Sequence, residues 1–178
     1  FGTVNASKSG AYVGGILGYV NNTKAMVKNC YNYGSVSNGS NSTYCGAVIG
    51  WVRSNTAGNL ADNYYLDTSC GLGLGSASNS GATATAKTSV QFESGEVAYL
   101  LNNGVTDGTQ SWYQTLGTDG YPVLDNTRGT VYLIAVYPGC VNNPGEPADA
   151  YANTPESVYG DHTYDNGFCT MCDEYEPA

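Results

Sequence analysis

Charge is scarce in this chain. Only 12% of its 178 residues are charged, six of them Lys or Arg, and there is one His, three Phe and two Trp. The shortage is uneven: residues 1–61 contain no Asp or Glu, whereas residues 139–178 contain eight and no Lys or Arg. With a net charge of −9, an acidic end without cations argues against nucleic acid or an anionic membrane as partner; solubility is its simplest use. No apolar run approaches the roughly 20 residues of a membrane span, so no membrane insertion is expected within this segment. The composition does not suit a helical bundle, which draws on Leu, Ala, Glu and Lys.

What is abundant is Gly (24) and Tyr (16), with much Asn, Ser and Thr, a mixture that suits short strands and tight turns. The segment from Gly2-Thr3-Val4 to Tyr12-Val13-Gly14-Gly15-Ile16-Leu17-Gly18-Tyr19-Val20 returns 32 residues later as Gly34-Ser35-Val36 to Tyr44-Cys45-Gly46-Ala47-Val48-Ile49-Gly50-Trp51-Val52. A unit of this length cannot bury its own apolar face and is expected to stack on copies of itself. Its glycines let neighbouring backbone approach closely. Turns are expected over residues 21–23, 37–42 and 54–59. The chain starts without Met and inside a repeat, as a piece of a larger protein would.

The pattern Gly-x-Val, then Gly-Gly-Ile-Leu-Gly-Tyr-Val, then Asn29-Cys30-Tyr31-Asn32 resembles the GLUG repeats of large bacterial surface proteins over about residues 2–67. That resemblance implies a mainly β fold: the end of a short right-handed parallel β-solenoid. It also implies an extracellular, bacterial cell-surface location, in the company of adhesins and immunoglobulin-A proteases. Cys45 and Ala47 depart from the pattern in the second copy.

Residues 1–70 are thus expected to form solenoid repeats and residues 71–87, low in complexity, a flexible loop. Residues 88–138 follow as a capping region. One capping helix should start at Thr88 or Ser89, place Val90, Val97, Leu100 and Leu101 on one apolar face, and stop at Asn102-Asn103-Gly104. With Trp112-Tyr113-Gln114-Thr115-Leu116-Gly117 and Pro122-Val123-Leu124, it is similar to the segment that closes such solenoids in gut bacterial proteins. A helix there could cover an open sheet edge. Residues 129–137 alternate as a strand. Beyond 138, Pro144, Pro147 and Pro155 and a thinning of apolar residues mark a small, irregular, Cys-rich appendage, residues 139–178.

That appendage holds the sharpest constellation. Cys169-x2-Cys172 presents two thiols from one knuckle, His162 is the chain's one histidine, and Cys140 completes a Cys3His set of the kind that binds structural zinc. A coreless tail of this size often needs such a staple, and His162–Cys172 resembles the knuckle-like tails of clostridial surface proteins, with Asp173 where Gly is usual. Disulfides among Cys140, Cys169 and Cys172 are the competing possibility. Cys30, Cys45 and Cys70 read as small buried hydrophobes or as the source of a Cys30–Cys70 bridge.

Tyr31, Tyr33, Trp51, Tyr64 and Tyr65 could form an aromatic ladder on one solenoid face. Such a ladder would bind a protein or stack on sugars, or it would pack between strands. Catalysis finds little support: a lone His set among candidate metal ligands leaves no obvious general base, and there is neither a nucleophile elbow nor a phosphate loop. The expectation is a non-catalytic binding module that engages a host glycoprotein, such as a glycan-bearing mucin, or an immunoglobulin. A spacer between other domains of the same long chain, or an accessory domain of an immunoglobulin-degrading protease, are the alternatives.

Overall fold

The computed structural model describes residues 2–8, 10–39, 43–54, 58–77, 81–172 and 174. The expected turns at 37–42 and 54–59 fall partly, and Asp173 wholly, outside the described residues. The fold is mainly β, with two short helices, and its sheets are small and not closed.

The chain makes three passes over the same ground. The first carries β1 (Val4–Ala6), β2 (Val13–Gly14), β3 (Leu17–Asn21), β4 (Val27–Lys28) and β5 (Tyr31–Asn32). The second carries β6 (Val36–Asn38), β7 (Cys45–Gly46), β8 (Ile49–Ser54), β9 (Leu60–Ala61) and β10 (Tyr64–Leu66). Each strand of the second pass pairs in parallel with its counterpart in the first. Val4 lies opposite Val36, Val13 opposite Cys45 and Leu17 opposite Ile49, which is the 32-residue period of the sequence. A bulge between Val20 and Asn21 lengthens the offset by one, so Val27 meets Leu60 and Tyr31 meets Tyr64.

Where a loop was expected over residues 71–87, the structure has a third pass. β11 (Leu74–Ala77) pairs with β8, and β12 (Thr85–Lys87) with β10, again in parallel. This pass is shorter: Leu74 stands opposite Ile49 and Thr85 opposite Tyr64. Cutting the corner breaks the period; Gly75 serves where the Gly50 and Cys45 backbone comes close, and Gly73 makes room for the Tyr65 ring. Val20, Val48, Ile49, Val52 and Leu60 fill the interior of the stack, flanked by Leu17, Val27, Tyr65 and Leu74.

The capping region differs from expectation in three ways. There are two helices, α1 (Ser89–Glu93) and α2 (Glu96–Leu101), because Gly95 between them sits at φ +91°, and a side chain there would strike Leu116 and Val131. Thr88 does start α1, through a reciprocal capping box with Gln91. Second, Val90 is exposed, and Phe92, fully buried, takes the core position beside Val97 and Leu101. Third, the helices lie on the flank of the β5–β10–β12 sheet. Phe92 packs edge-on to Tyr33 and tilted against Tyr31 of the first pass. Tyr64 of the second joins the same cluster, and Lys87 of the third meets Glu96 at 2.5 Å. The segment after α2 completes the cover: Trp112 Nε1 donates to the Asn29 carbonyl, and the Tyr31 hydroxyl to that of Pro122. Buried Gln114 spans the lid, its Nε2 donating to the carbonyls of Phe92 and Asp119.

The strand expected over 129–137 is present as β13 (Tyr132–Val136), but it pairs antiparallel with β14 (Ala148–Ala152), and the Tyr137 amide donates to the Val158 carbonyl. Hydrogen bonding therefore crosses residue 138, where the sequence suggested a boundary. β15 (Tyr164–Asp165) and β16 (Phe168–Cys169) follow as a hairpin closed by Asn166 and Gly167, both at positive φ, the geometry a two-residue turn demands.

Backbone from the preceding pass approaches Gly50 closely. A Cβ there would stand 2.6 Å from the Gly18 carbonyl oxygen and 2.6 Å from the Val13 amide nitrogen. Both obstacles are backbone, so relief requires moving a strand. Gly50→Ala should destabilise the chain by about 1–3 kcal/mol or more, read as a lowered denaturation midpoint. Gly120→Ala, where nothing lies within 4 Å, should leave the midpoint within about 0.5 kcal/mol. Equal effects from both would refute the close-contact account.

Candidate metal centre

Cys140, His162, Cys169 and Cys172 come together, their four potential ligand atoms all within 4.8 Å of one another. Each arrives for a local reason. Cys140 opens a tight turn in which the Gly139 amide donates to the Pro144 carbonyl and that of Asn143 to the Cys140 carbonyl. Cys169 ends the β15–β16 hairpin, with its amide bound to the Glu174 carbonyl. The next residues fold back as a knuckle: the Thr170 amide bonds to the Thr163 carbonyl, and Asn143 Nδ2 reaches the Met171 carbonyl. Cys140 and Cys169 are almost wholly buried, whereas His162 and Cys172 lie half-buried at the rim.

The electrostatics suit a cation. Burial alone would raise the Cys169 thiol, but hydrogen bonds from the Met171 and Cys172 amides, with His162 and Cys172 beside it, bring it down to about 6. Burial pushes Cys172 up to about 11, with the Cys140 and Cys169 thiols adding to the rise against a hydrogen bond at Glu174. A cation bound by Cys172 would have to displace its proton. Apparent metal affinity must then weaken as pH falls.

A fifth residue, Glu174, supports the cluster. Glu174 Oε2 lies 3.3 Å from His162 Nε2 and accepts a hydrogen bond from Asn142 Nδ2 at 2.8 Å. His162 Nδ1 faces Cys172 Sγ at 3.6 Å. The carboxylate thus holds Nε2 as the donor and leaves Nδ1 for the shared centre, the usual second partner of a metal-bound histidine. A Glu two residues past the knuckle was the only sequence signal for it. Three soft sulfurs and an imidazole nitrogen make a complete four-ligand set, so the cluster could bind a metal ion.

The five aromatic residues nominated for binding do not share a face. Tyr31, Tyr33 and Tyr64 are covered by Phe92 and the lid, and burial raises the Tyr31 phenol above its ordinary range, with Tyr121 and Tyr33 adding to the rise. Tyr65, next along β10, points to the opposite side of the strand and packs on the interior of the stack. Trp51 belongs to a separate group with Tyr12, Tyr19 and Tyr44, ring centroids about 5 Å apart. Cys30, Cys45 and Cys70 are half-buried, and the alternative Cys30–Cys70 bridge is not formed: Cys30 Sγ contacts the Lys28 carbonyl at 3.0 Å, and Cys70 Sγ lies 3.6 Å from Cys45 Sγ.

No family model, curated protein or solved structure matches the chain.

The metal cluster makes a direct prediction with zinc(II) as the probe, titrated against a chromophoric chelator. Cys172→Ser should abolish tight uptake, and Glu174→Gln should weaken it by about 10–100-fold. Undiminished affinity in both would show that these side chains do not form one centre.

Proposed function

We propose that the chain is a non-catalytic structural module: a short right-handed parallel β-solenoid, flanked by a helical lid and stapled at its tail by zinc. The observation that carries the solenoid reading is the register. Three successive passes pair strand on strand in parallel, the first two at the period of the sequence repeat. Zinc is favoured by the donor set, since three thiols and one imidazole form its usual closed, four-coordinate structural site. The resemblance of the repeat to GLUG units supports a place in a bacterial cell-surface protein, outside the cell, where the module would space other domains of the same chain.

A second reading rests on the Tyr12, Tyr19, Tyr44 and Trp51 group. Tyr12 is exposed and the other three rings half-buried, so this patch retains surface that a host glycoprotein or immunoglobulin could cover. Tyr64 is buried, and Tyr31 and Tyr33 are half-buried against Phe92 of the lid. Loss of host-glycoprotein binding on Trp51→Ala, with the midpoint of unfolding unchanged, would favour this reading over the spacer.

A stack held by nearest-neighbour contacts tolerates added units. Duplicating residues 34–66 in tandem should give a folded, monomeric protein with parallel-sheet spectroscopic content increased and a midpoint at least as high as that of the parent. A duplicated chain that aggregates or unfolds would contradict the solenoid reading.

A further inference from the structure

Two cysteines outside the metal cluster meet inside the stack. Cys45 Sγ and Cys70 Sγ stand 3.6 Å apart, both residues half-buried. The repeat explains how they come to face each other. The Val4 amide donates to the Ser35 carbonyl and the Val36 amide to the Ser69 carbonyl, which makes Val4, Val36 and Cys70 successive occupants of one position. Val13 pairs in register with Cys45, so these two are successive occupants of another. Strand β2 lies against β6, and there Val13 and Val36, each 4% exposed, fill the two positions one pass earlier. Both members of this diagonal change from Val to Cys together in the next layer. The third pass then runs from Cys70 to Leu74 in four residues and omits a counterpart of β7, which draws Cys70 over Cys45.

We propose that Cys45 and Cys70 form an intramolecular disulfide that ties the second pass to the third, while Cys140, Cys169 and Cys172 remain metal ligands and Cys30 remains a thiol. The inference does not depend on the surface location or on the metal. Bonded sulfurs lie about 2.05 Å apart, so the pair must close by roughly 1.5 Å, a movement within reach of side-chain rotation. The oxidant is a low-molecular-weight disulfide. One cysteine, as thiolate, attacks a sulfur of that disulfide and expels one thiol; the second cysteine then attacks the mixed disulfide and expels the other. Two S–H bonds and one external S–S bond are lost, one internal S–S bond is formed, and two electrons and two protons leave with the reduced oxidant. Burial and the neighbouring Cys70 thiol push the Cys45 thiol up to about 11, so closure should speed up as pH rises.

The test uses the full chain loaded with zinc(II) and incubated at mildly alkaline pH with oxidised glutathione. Remaining thiols are then alkylated and proteolytic fragments mapped without reduction. The expected result is a fragment linked through Cys45 and Cys70, with Cys30 alkylated. The thermal midpoint should exceed that of the reduced chain by roughly 10 °C, as closure of a 25-residue separation predicts. Cys45→Val and Cys70→Val each restore the residue of the preceding pass and should each abolish both the link and the shift, whereas Cys30→Ser should preserve them. Cys45 and Cys70 recovered as alkylated or glutathione-capped but unlinked, or a dominant link through Cys30, would overturn the proposal.

Discussion

The structure depends on backbone meeting backbone between successive passes. Parallel strands of two to six residues carry few hydrogen bonds each, so no single sheet here would stand alone. They hold because five of them recur in each of the first two passes, in register, around one interior of Val20, Val48, Ile49, Val52 and Leu60. Gly50 permits that approach by presenting no Cβ to the Gly18 carbonyl or the Val13 amide. Once the register is fixed, Tyr31 and Tyr64 align on one flank, and that apolar flank gives the two helices something to cover.

The sequence exposed this plan where it repeats and concealed it where it does not. Gly2 to Val20 and Gly34 to Val52 could be superposed by eye, and the observed pairing follows them residue for residue. The third pass was illegible because it drops a corner: Leu74 sits opposite Ile49 after only 25 residues, and the run around Gly71-Leu72-Gly73-Leu74-Gly75 has no pattern of its own to declare a strand. It is ordered by its neighbours, a tertiary override of weak local preference. Tyr31, Tyr33 and Tyr64 posed the converse problem. A tyrosine suits a wet face and a dry one equally, and only the position of Phe92 and Trp112 decides between them.

The tail was legible by ligand type and illegible by support. Spacing alone brought Cys169 and Cys172 together, and the scarcity of His made His162 conspicuous, whereas the carboxylate of Glu174 became meaningful only once its 3.3 Å approach to Nε2 was visible. The Asn166-Gly167 turn that aims Cys169 is a hairpin signal in the sequence, but the surrounding segment lacks the apolar alternation that would make it legible. The pairing of β13 with β14 shows that this region has a sheet of its own, so the metal cluster would secure a fold already begun rather than create one from coil.

These two sources of order are physically separate, and that separation is the central claim. Native-state hydrogen exchange before and after chelation tests it most directly. The account predicts that the amides of Thr170 and Cys169, which close the knuckle, lose protection when metal is removed. The amides of Val13, Leu17, Val27 and Tyr64, which bond between passes, should keep theirs and exchange together as one cooperative unit. Knuckle amides indifferent to chelation, or inter-pass amides that open with them, would contradict it.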